Sequence, residues 1–154
     1  IFHKVIKLKY LIQFFYNHNI YIMNIKILGN YNDLFKLKKE KALIINALKP
    51  PPGKLMCNIK GTTPHGSKLD KKLKEKKYNR TVIVYCANST CGAAMYYIEK
   101  NLKKYKNVYY YKPGMYEYML LRRAYGSDKF PIDGKCTSIK RFQHFTIERK
   151  YKKN

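Results

Sequence analysis

Thr81-Val82-Ile83-Val84-Tyr85-Cys86-Ala87-Asn88-Ser89-Thr90-Cys91-Gly92-Ala93-Ala94 is the stretch on which the fold turns. Thr81 to Tyr85 is an unbroken run of β-branched and aromatic residues, the strongest strand signal in the chain. It delivers Cys86 at its carboxyl end. A loop of small residues comes next. From Thr90 or Cys91 to Tyr105, the side chains of Met95, Ile98, Leu102 and Tyr105 recur at spacings of three and four, which predicts a helix with an inward stripe. Glu99 and Lys103 form an i,i+4 pair on its wet side.

Working outward, strand and helix signals alternate. Asn24 to Leu28 reads as a short strand closed by Gly29-Asn30. Asn32 is expected to cap a helix to about Lys41, with Leu34, Phe35 and Leu37 inward. Ala42 to Ala47 is a short apolar run of the kind buried on both faces of a parallel sheet. Pro50-Pro51-Pro52-Gly53 forces a loop. Met56 to Ile59 is a further strand candidate, ended by Gly61 and Pro64. Ser67, three residues before Asp70, opens a helix with Leu69 and Leu73 inward. Val108 to Tyr111 is a strand, Pro113-Gly114 a turn, and Met115 to Tyr125 a helix stopped by Gly126. Pro131 and Gly134 break up the segment beyond it. Such βα units demand right-handed crossovers, so the expectation is an α/β three-layer sandwich, a mostly parallel central sheet with helices on both faces. Ligands bind such sheets at the carboxyl ends of the strands, where Cys86 falls.

That position has chemical meaning. The small residues Ala87, Asn88, Ser89, Thr90, Cys91 and Gly92 let the loop curl so that backbone N–H groups converge on one spot, an anion-binding nest. The helix start adds roughly half a positive charge. Together they stabilise a thiolate, the nucleophilic form of cysteine.

The chain has 154 residues, enough for one α/β domain, and 45% hydrophobic content with 15% aromatics argues for a packed core. Lys and Arg number 33 against 9 Asp and Glu, a formal charge of +24. That suggests a polyanionic partner, but lysine rather than arginine supplies most of it and the lysines are spread over the whole length. Abundant Lys, Ile, Asn, Tyr and Phe also arise from an AT-rich coding sequence. The preferred reading is a solvated basic surface with weak, non-specific polyanion binding. Residues 1–22 contain no run of ~18 apolar residues, so no integral membrane segment is expected. They are taken as an N-terminal extension outside the fold, Met23 being followed at once by the first strand; an amphipathic membrane-surface helix is the alternative. Four cysteines without a paired CxxC predict neither a disulfide scaffold nor a metal site. Reduced thiols in the cytoplasm are the default, with Cys57 and Cys136 as core or incidental thiols. His65 and His144 have no second ligand or carboxylate at a telling spacing, and read as surface or loop residues. Thr62-Thr63-Pro64-His65 comes after a strand end and is a candidate pocket mouth. Tyr109 to Tyr111 and Tyr116 to Tyr118 read as core and pocket wall rather than a base-stacking platform.

The order of these features resembles the rhodanese family. Tyr85-Cys86 with its loop and helix matches the family's cysteine loop, Asn107 to Tyr118 its "nV…GG…eW" stretch, Leu43 to Asn46 its "ilIDvR" strand, and Ile59 to Thr62 its "hIpGA" segment. The resemblance implies a rhodanese-like domain over 23–134, with a basic tail at 135–154. It further implies a single-domain sulfurtransferase in which Cys86 carries sulfane sulfur as a persulfide between a small sulfur donor and a thiol acceptor. The backbone of Ala87 to Cys91 would cradle that sulfur, with no cofactor and no metal. Three positions depart from the pattern: Asn46 stands where the family has Asp, Cys91 where many members have Arg, and Pro113 for one glycine of the pair. The alternative is an inactive or redox-sensing module, in which Cys86 and Cys91 form a disulfide. A cysteine-dependent phosphatase of related fold is excluded, because the arginine its loop needs to clamp phosphate is replaced by Gly92.

Overall fold

The structure is a computed structural model, which describes residues 25–49, 57–63, 69, 73, 80–136 and 142. Its elements are β1 (Lys26–Leu28), α1 (Tyr31–Lys39), β2 (Leu43–Asn46), β3 (Asn58–Ile59), β4 (Thr62–Thr63), β5 (Val82–Tyr85), α2 (Ala93–Asn101), β6 (Val108–Tyr111), α3 (Gly114–Tyr125) and β7 (Ile132–Asp133). Five strands form one sheet in the order β1-β6-β5-β2-β4, every pair parallel. β5 lies at its centre, in register with Leu43 to Asn46 on one side and Val108 to Tyr111 on the other. All four residues of β2 and of β5 are buried, as expected where helices cover both faces. The connections from β1 to β2 and from β5 to β6 cross the sheet in opposite directions. Right-handed crossovers therefore put α1 and α2 on opposite faces, and the fold is a three-layer α/β sandwich.

The cap of α1 is Asn30, not Asn32. Asn30 is extended and accepts the Asp33 N–H at 3.2 Å, so the helix starts one residue after the Gly29-Asn30 turn. A second acceptor comes from across the fold, where Glu117 Oε1 takes the Tyr31 N–H at 2.9 Å. The helix after Cys86 is shorter at both ends than its apolar stripe implies. Ile98 and Leu102 are buried, while Met95 and Tyr105 pack at its margins. Leu69 and Leu73 are helical, Leu69 fully buried; the rest of that helix, residues 1–24 and both His65 and His144 lie outside the described residues.

The break expected after Pro131 contains a strand. β7 pairs antiparallel with β3, Asn58 facing Asp133 and Ile59 facing Ile132. Gly61 N–H donates to Asp133 Oδ2 at 2.9 Å, and the exposed Lys60–Asp133 pair at 3.5 Å adds little. This ladder overturns the reading of Cys57 and Cys136 as incidental thiols. It brings their Cα atoms to 5.0 Å and they form a disulfide across 79 residues of sequence. Sequence spacing could not show it, because the pairing depends on a two-residue strand too short to carry a pattern. Among the described residues, no helix is long and apolar enough to cross a membrane.

Candidate active site

Three segments meet at the carboxyl end of β5: the loop from Cys86 to Gly92, the start of α2, and the start of α3 arriving from β6. The α3 start is bonded directly to the loop. Met115 N–H donates to the Cys86 carbonyl at 2.9 Å and Tyr116 N–H to the Ala87 carbonyl at 2.8 Å. This approach explains Gly114. Its φ is +64°, and an added Cβ would collide with the Cys86 carbonyl oxygen and stand 3.0 Å from Ala87 C and Asn88 N. Only glycine fits. Pro113, in contrast, has φ −64° and ψ −26°, values natural to proline at a helix start, so its departure from the paired glycines costs nothing.

Asn88 fixes the loop from within. Its Oδ1 accepts the Thr90 N–H at 3.0 Å and the Thr90 hydroxyl at 2.9 Å, an Asx turn. Its Nδ2 donates to the carbonyl of Phe142, a buried residue from beyond residue 134. The Asn88 carbonyl accepts the Cys91 N–H at 3.2 Å. Ser89, Thr90 and Gly92 are exposed, whereas Cys86 and Ala87 are completely buried.

The two sulfurs form a pair. Cys86 and Cys91 are both free thiols, hydrogen-bonded to each other through their side chains. The Cys86 sulfur also lies 3.1 Å from the Cys91 carbonyl oxygen. The amides of Ala94 and Ala87 face Cys86, and those of Ala87 and Ala93 face Cys91. The sequence places the cradle on Ala87 to Cys91. In the structure only Ala87 of that run contributes a facing amide, and the others come from the first turn of α2. The charge distribution also differs from expectation. The hydrogen bond from Cys86 lowers the Cys91 thiol to about 6, helped by the two amides and opposed by burial. The same bond, then burial and the charge of Cys91, push the Cys86 thiol up. The pair thus holds one proton and one negative charge between two sulfurs near neutrality.

Tyr110 completes the pair's surroundings. It projects from β6 opposite Val84, is buried, and its hydroxyl hydrogen-bonds Cys86. Burial first, then the sulfur charge, push that phenol above its ordinary range, so it stays a donor. Sequence reasoning placed it in the wall without a role. Gly114, Ala93 and Ala94 were likewise unassigned, and the Pro113-Gly114 turn was the available signal for the first of them.

Asn46 faces Tyr85 across the β2–β5 register and is nearly fully buried. Its Nδ2 donates to Asn58 Oδ1 at 2.8 Å, its Oδ1 accepts the Leu48 N–H at 3.0 Å, and it also bonds Tyr85. The Tyr85 hydroxyl accepts the Ile59 N–H at 3.0 Å and lies 2.9 Å from Thr62 Oγ1. Thr62 spends its only proton on the Ile59 carbonyl at 2.7 Å, so Tyr85 is the donor of their bond. A neutral network therefore surrounds the buried Asn46 amide, and Thr62 belongs to it rather than to a pocket mouth.

A cavity of about 410 Å³ opens on the outer side of the loop, lined by Gly29, Asn88, Ser89, Lys112, Pro113, Tyr116, Glu117 and Leu120. Lys112 is its cation; Glu117 is engaged by Tyr31 N–H. Among the described residues, no three His, Cys, Asp or Glu side chains gather where they could hold a metal ion.

The buried Cys86 thus ends the central strand of a parallel α/β sheet and faces the Ala87 amide and the Ala94 amide of the first turn of α2. The model of the Rhodanese-like domain family matches residues 55–120 of this chain. Among solved structures it is similar to the BH2092 protein from Bacillus halodurans, with a TM-score of 0.51 and 15% identity over 77% of this chain and 83% of that one, a likeness of fold. No curated protein matches the sequence.

Proposed function

We propose that the domain is a sulfurtransferase that carries sulfane sulfur as a persulfide on Cys86. The observation that carries this reading is the convergence of the Ala87 and Ala94 amides and the Tyr110 hydroxyl on one buried sulfur at the carboxyl end of β5. For attack, the shared proton passes to Cys91 along the hydrogen bond joining the two side chains, leaving Cys86 as thiolate. Cys86 Sγ then forms a bond to the sulfane sulfur of a small donor, the donor's own bond to that sulfur breaks, and its electron pair leaves with the donor. Fixed amide dipoles stabilise the persulfide anion without reorganisation. An acceptor thiolate attacking the outer sulfur takes it and returns Cys86 as thiolate. The cavity beside Ser89 and Lys112 is the approach for donor and acceptor. Weak polyanion adhesion of the lysine-rich surface is a separate, salt-sensitive expectation.

Cyanide-dependent thiocyanate formation with several donors tests the reading, together with the mass of the Cys86 peptide after donor exposure. Product with wild type and none with Cys86→Ser is expected. The complete burial of Cys86 favours a second reading, a rhodanese-fold module without turnover. No thiocyanate with any donor and no persulfide on Cys86 would select it.

A further inference from the structure

We propose that Cys91 is a resolving residue: its sulfur attacks Cys86 Sγ of the persulfide, closes a Cys86–Cys91 disulfide and expels the carried sulfur as hydrosulfide. The step rests on the sulfurtransfer reading and gives the site a second outlet besides an external acceptor. Its geometry is already present. The two side chains are hydrogen-bonded, both face the Ala87 amide, and the Asn88 carbonyl ties the Cys91 N–H back into the loop at 3.2 Å. Both sulfurs are buried, Cys91 with 6% of its surface exposed, so an external thiol reaches them less readily than they reach each other.

The proton balance closes with groups on hand. In the resting pair, one proton lies between the sulfurs. When Cys86 attacks the donor it must be the thiolate, so Cys91 holds that proton. After transfer the persulfide is anionic; Cys91 returns the proton to the outer sulfur and becomes the thiolate. Attack on Cys86 Sγ forms the new S–S bond, and the old S–S bond breaks with its electron pair going to HS⁻. The sulfane sulfur is reduced to sulfide and the two cysteines are oxidised, so no outside oxidant enters. Resetting the site takes a dithiol reductant.

The test loads the full chain with thiosulfate or, separately, sodium tetrasulfide, without reductant. Sulfide is measured as methylene blue, and the peptide holding Cys86 and Cys91 is weighed under non-reducing conditions. In wild type, about one HS⁻ per chain and a peptide about 2 Da lighter than the dithiol are expected. Cys91→Ser should release less than a tenth of the sulfide, and the sulfur it takes up should persist as a Cys86 peptide about 32 Da heavier. Cys86→Ser sets the blank. A stable wild-type persulfide without a loop disulfide overturns the proposal whether or not the variant folds, and so does sulfide release by Cys91→Ser at the wild-type rate. If neither protein takes sulfur from either donor, sulfurtransfer itself fails, and this step with it.

Discussion

Gly114→Ala puts a methyl group at the closest approach between α3 and the cysteine loop. Two costs add. A non-glycine residue at φ +64° loses about 1 kcal/mol to left-handed strain. The Cβ also meets the Cys86 carbonyl oxygen, a backbone atom of a fully buried residue that cannot turn aside. Relief comes only by moving the α3 start off the loop, which stretches the Met115-to-Cys86 and Tyr116-to-Ala87 bonds. At a net value of about 1 kcal/mol each, these bring the total to about 3 kcal/mol. At about 4 °C of melting temperature per kcal/mol for a domain of this size, the variant should melt about 12 °C below wild type. Thermal unfolding by far-ultraviolet circular dichroism reads it directly. Gly92→Ala is the matched control. At φ −78° with no atom within 4 Å of the added Cβ, it should leave stability unchanged or raise it by up to ~1 kcal/mol. If Gly114→Ala melts within about 3 °C of wild type, the close-approach argument is wrong.

Tyr85→Phe removes the acceptor of the buried Ile59 N–H and should cost ~1–3 kcal/mol in urea unfolding, whereas Tyr111→Phe, whose hydroxyl lies buried near Glu117 without a normally formed hydrogen bond, should change stability by less than ~0.5 kcal/mol. Thiolate absorbance at about 240 nm should rise through a midpoint of about 6, well below an ordinary thiol, and Cys91→Ser should abolish that step. Because folded Cys91 releases its proton at lower pH than the unfolded chain while folded Cys86 holds its own to higher pH, the pair's contribution to stability peaks near the ordinary thiol range, is lost as pH falls through about 6 and declines again above that range; a fall in stability as pH rises from 6 towards that range would refute the assignment. Reducing Cys57–Cys136, which closes 79 residues of sequence, should lower stability by roughly 2–4 kcal/mol, read as a drop in urea midpoint that Cys136→Ser reproduces and that reductant no longer changes.

The central architecture was legible because its signals are local. Thr81 to Tyr85 could only be a buried strand, the stripe through Ile98 and Leu102 a helix, and their alternation a parallel sheet with Cys86 at its carboxyl edge. The features that escaped depend on long-range placement. The facing amides of Ala93 and Ala94 are set by how the first turn of α2 swings over the loop, which no residue type announces. Tyr110 was readable as buried but not as a donor to sulfur, because that needs the β5–β6 register. The Cys57–Cys136 bond depends on β3 and β7, two residues each, below the length at which alternation exists. Asn30 displaced Asn32 as the cap because the turn that closes β1 and the start of α1 share a boundary.

The departures from the family pattern are best understood together. Measured against the rhodanese pattern that the sequence resembles, Asn46 lacks an acid's negative charge and Cys91 lacks an arginine's positive one. The residues from Cys86 to Gly92 include no cation, despite the chain's formal charge of +24. A buried sulfur anion there must be stabilised by other means. The amides of Ala87, Ala93 and Ala94 supply fixed dipoles, the Tyr110 hydroxyl supplies a neutral donor, and the proton shared between two sulfurs supplies the rest. Such a site gains little from attracting an anionic donor at the sulfur itself. Lys112 lines the cavity beside the loop, and the interior holds a second thiol.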